Sequence, residues 1–359
     1  MITGDRALAQ GKKGPFFYML EEFSKHWDQI DILCPKTDQK IKKIHNNVFI
    51  HCSDTSLFKQ PSFILKKGIE IYKEQKFDLF TIHSYPPFYN DLGGLKLFKK
   101  TKVPYVLEVM HINGYPRASG FKEGIYKPIT RIFINHFAKH AKVIRVVNKK
   151  QVPEFLIKSG LDKNKLKYIP AFYIDFNIFK PMDLEKKYDL VFSGRLVKNK
   201  GIFLLLKAVK KLNIKLAIIG SGPLEDKIKK YIKGNKNIDF IGWVDTAEDL
   251  ARIYNQSKAL IMCSFNEGGP RVTLEAMACK IPVITSKVGI MLDIIKDQEN
   301  GLFIDWNVKD IREKIDILLN NNSLREKIAE NGFKTVQQFE RKKAIENYAK
   351  TYKTLLHNS

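Results

Sequence analysis

The chain has 359 residues and a formal net charge of +24, with 44% hydrophobic and 28% charged residues. This length is enough for two α/β domains with full cores, and the composition is that of a globular protein, which excludes a disordered or collagen-like chain. We find no apolar run long enough to cross a bilayer, and no signal-peptide core in the first ten residues, MITGDRALAQ.

The excess of basic over acidic residues indicates which classes of partner the chain could bind. Residues 1–180 carry 31 Lys and Arg against 16 Asp and Glu, and residues 181–359 carry 31 against 22. Such an excess could attract nucleic acid, anionic lipid or a phosphorylated substrate. The alternative is a solvated surface that reflects the abundance of Lys, Ile and Asn in the whole chain. The four cysteines are scattered without a CxxC pair, which predicts reduced thiols in a cytoplasmic protein.

Strand and helix signals alternate in the first half, which predicts a parallel sheet with crossover helices. The first three residues are expected to be the tail of a strand. The further predicted strands are 30–34, 47–51, 79–83, 105–110, 143–147 and 166–169. The predicted helices are 16–27, 61–73, 128–140 with Pro128 at its start, and one within 147–160.

The second half repeats this alternation from about Tyr188, which again indicates βαβ units. Its predicted strands are YDLVFSG, KLAIIG, IDFIG and ALIMCS, and its predicted helices are GIFLLLKAVKKL, EDKIKKYIK and AEDLARIYN. The tail, residues 310–357, is predicted to be helical with a polar break at 320–323.

The segment that carries most chemistry is SFNEGGPRVTLEAMACKIPVITSKVG, residues 264–289, which reads as loop, helix, loop and strand. Pro270 is predicted to occupy the first helical position. Gly268 and Gly269 would let a ligand approach the backbone, and the N–H groups of Arg271 and Val272 would meet an anion at the helix N-terminus.

Two carboxylates in this segment can hold separate parts of one ligand. Glu267 precedes the helix and Glu275 lies inside it, separated by seven residues. Ionised carboxylates accept several hydrogen bonds, so sugar hydroxyls suit them. Taken alone, the pair favours an ordinary strand-loop-helix that carries two solvated glutamates. The whole stretch EGGPRVTLEAMACKIPVITSKVG, however, resembles the signature segment of the retaining glycosyltransferases of family 4.

This resemblance implies an α/β protein of GT-B architecture, in which two Rossmann-like domains with parallel sheets face each other across a cleft. Residues 1–182 would form the acceptor-side domain and residues 183–339 the nucleotide-sugar donor domain. A C-terminal helix of about residues 340–359 would pack back on the first domain.

The resemblance also implies a set of donor-binding residues in the second domain. FSGRLVKNKG, residues 192–201, is similar to the segment that grips the donor diphosphate, and the matching positions are Arg195 and Lys200. Two fixed cations stabilise a leaving diphosphate without a metal ion. Gly222, in the turn IGSGPLED, and Val244, in GWV, would lie near the nucleotide base, although that turn can equally have a purely structural role.

In the first half, Gly14 of GKKGP takes the place of the family's Gly-rich loop, where it would meet the donor phosphate or the acceptor. His111 follows a strand and matches the family's cleft histidine, which contacts the transferred sugar. Ile112 and Asn148 depart from the family pattern. His136 and His140 lie four apart on a helix, but no third metal ligand is evident nearby. That helix could touch a membrane or simply pack on its sheet.

The function implied is that of a cytoplasmic retaining hexosyltransferase at the inner face of the membrane. It would use a nucleoside-diphosphate sugar and a glycan or lipid-linked acceptor, in cell-surface polysaccharide or glycolipid synthesis, with no cofactor, no metal and peripheral contact with anionic lipid. Glu267, His111, Arg195 and Lys200 would be its catalytic residues. The alternatives are another GT-B enzyme, such as a nucleotide-sugar epimerase, and a non-catalytic nucleic-acid-binding protein. We find no nucleic-acid recognition motif and no full GxGxxG.

Overall fold

The computed structural model describes residues 1–38 and 41–357, and it divides into two compact units. The first unit contains residues 1–110 and 126–171 together with the helix from residue 342 onward, and the second contains residues 111–125 and 172–341. Each unit has parallel strands flanked by helices, so the predicted α/β class is confirmed. The predicted domain boundaries stay a prediction, and residues 358 and 359 of the expected C-terminal helix lie outside the described residues.

The first unit is built on seven strands. They are β1 (Ile30–Cys34), β2 (Lys43–Ile44), β3 (Val48–Cys52), β4 (Phe80–His83), β5 (Tyr105–Val109), β6 (Val143–Val146) and β7 (Leu166–Tyr168). The hydrogen-bonded orders are β1-β3-β2 and β4-β5-β6-β7, and among the strands of the described residues of this unit only β2 runs antiparallel to its neighbour. Ile2 makes parallel bridges to both Leu33 and Ile82, so the chain's first residues lie between β1 and β4, as the expected strand tail would.

Five helices pack around these strands, and a sixth comes from the C-terminal part of the chain. They are α1 (Pro15–Phe23), α2 (Gln60–Glu74), α3 (Tyr89–Thr101), α4 (Phe121–Ala138), α5 (Gln151–Lys158) and α13 (Arg341–His357). The apolar residues of β5, and Ile144 and Val146 of β6, are buried, as expected for parallel strands covered on both faces.

A charged cluster lies at the centre of the first unit. The carboxylate of Glu108, on β5, is fully buried and accepts hydrogen bonds from Arg145 (2.9 Å), Tyr348 (2.9 Å) and Tyr352 (2.6 Å), and it contacts His83 Nε2 at 2.5 Å. Burial alone would raise the pKa of Glu108, but the charges of His83 and Arg145 and the hydrogen bonds hold that pKa well below its ordinary value. Helix α13 is thereby tied to the sheet through its two tyrosines.

The second unit has one six-stranded parallel sheet of order β10-β9-β8-β11-β12-β13. Its strands are β8 (Tyr188–Ser193), β9 (Leu216–Ile219), β10 (Ile238–Gly242), β11 (Ser257–Met262), β12 (Val283–Ser286) and β13 (Leu302–Ile304). Strand order reverses beside β8, since β9 lies on one side of it and β11 on the other. In open α/β sheets, ligands bind beyond the carboxyl ends of the strands at such a reversal.

Seven helices accompany this sheet, each following a strand or forming the tail of the unit. They are α6 (Ile202–Val209), α7 (Glu225–Ile232), α8 (Ala247–Asn255), α9 (Arg271–Ala278), α10 (Met291–Ile294), α11 (Val308–Asn320) and α12 (Asn322–Val336). The polar break predicted in the tail is confirmed, because Asn321 ends α11 and caps α12 by accepting the N–H of Leu324. A continuous apolar core joins the strands to α6 and α11.

Two predicted helix starts are wrong. Helix α4 begins at Phe121, so Pro128 lies inside it. An interior proline removes one backbone hydrogen bond, and the preceding turn keeps others, including Gly124 N–H to the Gly120 carbonyl. Helix α9 begins at Arg271, and Pro270 is its extended N-cap residue. The Pro270 carbonyl accepts the Thr273 hydroxyl at 2.6 Å, which fixes this start one residue later than predicted.

No helix in the described part of the chain is long and apolar enough to cross a bilayer.

Candidate functional site

The carboxyl ends of β8 and β11 bring together two loops that are distant in sequence. These strands are direct parallel neighbours, with Ala259 paired to Leu190. The loop after β8 carries Arg195 and Lys200, and the loop after β11 carries Glu267. Because parallel strands end at the same edge of a sheet, the two predicted donor motifs meet there.

The loops are joined by backbone and amide hydrogen bonds. The carbonyl of Asn199 accepts the N–H of Phe265 at 2.8 Å, and its side-chain amide donates to the carbonyl of Asn266 at 2.8 Å. The N–H of Asn266 in turn donates to the amide oxygen of Asn199 at 3.2 Å. Asn199, which precedes Lys200, is thus bonded to Asn266, which precedes Glu267. These bonds fix the two loops relative to each other.

Lys200 and Glu267 form an ion pair between these loops. Both side chains are mostly buried, with 19% and 16% of their side-chain surface exposed. Gly201, which follows Lys200, has φ +66° and lies so close to the Cys263 carbonyl that a Cβ would approach its oxygen to 2.2 Å. Only glycine permits this approach, and it holds Lys200 against the end of β11.

The Gly-rich loop around Glu267 is shaped by close packing. A Cβ on Gly269 would lie 2.1 Å from the ring of Phe172, and a Cβ on Gly289 (φ +52°) would lie 2.2 Å from the carbonyl oxygen of Gly268. The Gly268 carbonyl also accepts the N–H of Ile290 at 3.0 Å. The glycines thus allow the loop to pack closely on its neighbours. This close packing fixes the backbone that carries the Glu267 side chain.

Helix α9 carries the second carboxylate of the pair on its buried side. Glu275 is 7% exposed, its Oε1 lies 3.4 Å from Nε of Arg271, and its Oε2 accepts the hydroxyl of Tyr254 at 3.5 Å. Burial raises the pKa of Glu275, and Arg271 and Tyr254 oppose that rise. Arg271 also lies over the ring of Tyr173, 5.0 Å from its centroid. Val272 is half-buried beside it.

His111 belongs to the second unit although it follows a strand of the first. Its side chain is accessible to solvent but closely surrounded by protein. This desolvation lowers the pKa of His111, whereas Glu267, a hydrogen bond with Asn113, and Glu123 act to raise it. His111 is therefore within electrostatic range of Glu267 and Lys200, and its lowered pKa favours a neutral imidazole at neutral pH. Its predicted contact with the transferred sugar stays a prediction.

Sequence reasoning missed three residues of this region, which are Asn266, Arg117 and Glu123. The side-chain amide of Asn266 donates to the Arg117 carbonyl at 2.9 Å and to Oε2 of Glu123 at 3.0 Å, and the same Oε2 accepts the Ser119 N–H at 2.8 Å. The Arg117 guanidinium lies over the rings of Phe265 and Trp306. These contacts join residues 143 and 149 positions apart. No local pattern signals these contacts. The carboxylate of Glu123, which acts on the pKa of His111, could therefore not be foreseen.

Close packing explains the glycine in the turn that follows β9. A Cβ on Gly222 would approach the Leu196 carbonyl oxygen to 2.8 Å, and the N–H of Leu196 donates to the Ser221 carbonyl. Gly222 therefore lets this turn pack on the loop that carries Arg195, whose side chain is exposed. Val244, after β10, is half-buried.

Gly14 lies in the first unit, where it is the N-cap of α1 with φ −104°. A Cβ there would meet no atom within 4 Å. The backbone thus does not require glycine at this position, and its open side leaves room for a ligand at the start of α1. The predicted contact of Gly14 with the donor or acceptor stays a prediction.

The residues that the structure describes contain no group of three His, Cys, Asp or Glu side chains able to hold a metal ion.

Comparison with known proteins bears on the family. The model of the family described as "Glycosyl transferases group 1" matches residues 174–335, which include the β8, β11 and α9 motifs. The second unit is therefore similar to the group 1 glycosyltransferases. The predicted E-x7-E pair lies inside the matched region, whereas His111 and Gly14 lie outside it.

Curated glycosyltransferases are similar to nearly the whole chain. An uncharacterized glycosyltransferase of Methanocaldococcus jannaschii is 27% identical over 94% of this chain and 93% of its own. The capsular polysaccharide biosynthesis glycosyltransferase CapM of Staphylococcus aureus is 27% identical over 92% and 91%. The N,N'-diacetylbacillosaminyl-diphospho-undecaprenol alpha-1,3-N-acetylgalactosaminyltransferase of Campylobacter jejuni is 24% identical over 92% of each chain.

Solved structures confirm the predicted GT-B fold. Sucrose-phosphate synthase from Thermosynechococcus elongatus has a TM-score of 0.81 at 18% identity and covers 96% of this chain and 93% of its own. Anabaena HepE in complex with UDP and glucose has a TM-score of 0.77 at 16% identity over 98% of both chains. At these identities the likeness concerns the fold alone.

Proposed function

We propose that this glycosyltransferase is a retaining hexosyltransferase of family 4 that uses a nucleoside-diphosphate sugar. Its acceptor would be the hydroxyl group of a glycan or lipid-linked acceptor, in cell-surface polysaccharide or glycolipid synthesis. The observation that carries the proposal is the Lys200–Glu267 ion pair beside His111, at the strand ends where the predicted donor motifs meet. The names of the capsular and undecaprenol-linked relatives support the acceptor class.

The donor would be held through charges of both signs. Arg195 and Lys200 would face the diphosphate, because fixed cations stabilise the negative charge that develops as a nucleoside diphosphate leaves. Arg271 and Val272 would add the backbone N–H groups at the N-terminus of α9, which has no intrahelical partners for them. Glu275, on the same face one turn later, would accept the ribose hydroxyls.

Glu267 would hold the hydroxyls of the transferred sugar and stabilise positive charge at its anomeric carbon. In a same-face reaction, the bond from the anomeric carbon to the diphosphate breaks as the acceptor oxygen approaches that face. The acceptor proton passes to the leaving diphosphate. A neutral His111 would donate a hydrogen bond to the sugar without adding charge.

Peripheral contact with an anionic membrane is part of the proposal, since the acceptor class includes lipid-linked glycans. The net charge of +24 supports attraction to such a surface. A cytoplasmic location, at the inner face of the membrane, would place the enzyme beside its nucleotide-sugar supply.

A thermal-shift panel of UDP-, GDP- and ADP-sugars on the purified chain tests the donor class. A ligand that binds only the folded state raises the melting temperature, so one nucleotide series should stand out. NMR of the product made with that donor then distinguishes retention from inversion at the anomeric carbon. An inverted anomer would contradict the retaining proposal, and an epimerised free nucleotide sugar would contradict glycosyl transfer itself.

A further inference from the structure

Two cysteines of the first unit lie side by side although they are 18 positions apart in the sequence. Cys34 is the last residue of β1 and Cys52 the last residue of β3, and the register of these parallel strands pairs them directly. Their Sγ atoms are 3.2 Å apart, and both thiols are free. Non-bonded carbon atoms pack at about 3.5–4.0 Å, so two sulfur atoms at this distance are in direct contact.

The backbone around the pair has the geometry that a disulfide needs. Neighbouring strands lie about 4.8 Å apart, inside the range of roughly 4.4–6.8 Å that a disulfide spans between two Cα atoms. The N–H of Ser53 donates to the Cys34 carbonyl at 3.0 Å, so the hydrogen bonding between the strands continues past Cys52. A bond of about 2.0 Å would need the sulfur atoms to approach by only about 1.2 Å from their present 3.2 Å.

The two thiols differ in their access to solvent. Cys34 is 1% exposed and its thiol lies 3.7 Å from the carbonyl oxygen of His51, whereas Cys52 is half-buried. Burial raises the pKa of Cys34 well above its ordinary value, and the hydrogen bond with Cys52 and the charge of Asp5 act in the same direction. An oxidant from solution would therefore react first with Cys52, with Cys34 in contact behind it.

We propose that Cys34 and Cys52 form a redox-modification site, which a peroxide converts into a disulfide. The Cys52 thiolate attacks one oxygen of hydrogen peroxide and the O–O bond breaks, which leaves a sulfenic acid on Cys52. The departing hydroxide takes the proton that the Cys52 thiol released and becomes water. The Cys34 sulfur then attacks the Cys52 sulfur, the S–O bond breaks, and the leaving hydroxide takes the Cys34 proton to form a second water. The two thiols thus lose the two electrons that reduce the peroxide, and an external dithiol restores them by thiol–disulfide exchange.

The place of the pair suggests what the bond would do. The disulfide would tie together the segments that follow β1 and β3, at the carboxyl edge of the strands, where ligands bind in α/β sheets. An isolated pair of this kind differs from the disulfide framework of a small secreted domain and is typical of reversible, redox-sensing thiols. The inference goes beyond the proposed glycosyl transfer, because it uses no residue of the proposed donor site.

Peptide mapping of the wild-type chain tests the proposal directly. The fully reduced chain is treated with a small excess of hydrogen peroxide, unfolded, alkylated with iodoacetamide and digested with trypsin. Two of the four cysteines should escape alkylation, and one pair of peptides should link Cys34 to Cys52. Dithiothreitol should restore all four thiols. Cys263 and Cys279 are internal controls, since burial raises the pKa of each thiol to about 12, and both should stay open to alkylation.

Three variants separate the roles of the two thiols. Cys34→Ser removes the partner that resolves the sulfenic acid, so dimedone should label Cys52 in this variant. Cys52→Ser should leave Cys34 at least about tenfold less reactive towards peroxide than Cys52 is in the wild type. Cys279→Ser is the matched control and should form the Cys34–Cys52 disulfide like the wild type.

Three results would overturn the assignment. They are free thiols at Cys34 and Cys52 after peroxide has oxidised other side chains, a disulfide from either residue to Cys263 or Cys279, and a disulfide between two chains. The wild-type peptide map distinguishes all three from the predicted bond, so the decision does not depend on the folding of any variant.

Discussion

Lys200 and Glu267, 67 residues apart in sequence, form an ion pair at the ends of two neighbouring parallel strands. The pair is mostly buried, and Asn199 fixes the register of the two loops beside it. The cation that is proposed to face the leaving diphosphate therefore also orients the carboxylate that is proposed to face the sugar. A diphosphate oxygen that approaches Lys200 would compete with Glu267 for its protons, so the two groups should act as one unit.

This coupling predicts non-additive losses of activity. Lys200→Ala should lower kcat/KM by about 10²–10³, the range for one preorganised electrostatic contact. The double variant Lys200→Ala, Glu267→Gln should fall by much less than the product of the single losses, because residues that act as a unit are not additive. Lys198→Ala is the matched control, since Lys198 is exposed in the same turn and should keep near wild-type activity. Strictly additive losses in the cycle would contradict a shared role.

Glu275 should affect donor binding more than turnover. The ribose is proposed to be its partner, and a group unchanged by the reaction is bound nearly equally in the ground and transition states. Glu275→Gln should thus raise the donor KM and weaken nucleoside-diphosphate binding by about tenfold, with kcat little changed. Titration calorimetry with the diphosphate measures the binding directly. A large fall in kcat at unchanged affinity would place Glu275 at the reacting centre instead.

Glycosyl transfer should survive the removal of metal ions by a chelator. The sequence contains no Asp-x-Asp triplet, and Arg195 with Lys200 would supply the positive charge that a metal ion provides in other transferases. Activity measured after dialysis against EDTA should equal that of the untreated enzyme. Full loss that magnesium or manganese restores would count against the proposed donor site.

The buried cluster around Glu108 predicts a stability that depends on pH. The folded-state pKa of Glu108 is depressed, so its contribution is present above the ordinary glutamate pKa of about 4.3 and is lost as pH falls towards the folded value. Glu108→Gln should cost about 3–5 kcal/mol at pH 7, since Arg145 then lies buried without its counter-charge, and should flatten the acid limb of the stability curve.

Glu346→Gln on α13 is the control for that experiment. Glu346 pairs with Lys350 on the helix surface, with 48% of its side chain exposed, so its removal should leave the free energy of unfolding nearly unchanged. Denaturant unfolding at pH 3, 5 and 7 measures both variants. An equal pH dependence in wild type and Glu108→Gln would show that the cluster does not carry the effect.

The sequence predicts best where local patterns decide the structure. Strand β1 and helix α8 have the predicted bounds, because both are short periodic segments with clear ends. The resemblance to family 4 implies that Lys200 and Glu267 serve one donor site, but the ion pair between them is seen only in the structure. The contacts of Asn266 with Glu123 and Arg117 do not follow from the sequence, since those residues lie 143 and 149 positions away and no spacing rule describes how such distant segments meet. The Glu108 cluster also joins residues that are distant in sequence, so the sequence does not predict it.

The central claim is that Glu267 stabilises the transferring sugar, and Glu267→Gln tests it most directly. The amide keeps the size of the side chain, so the variant should fold like wild type and still bind nucleoside diphosphate. Its kcat with the true donor and acceptor should fall by about 10² or more, because positive charge at the anomeric carbon loses its carboxylate. Wild-type turnover by a folded Glu267→Gln enzyme would contradict the assignment of this loop as the catalytic donor site.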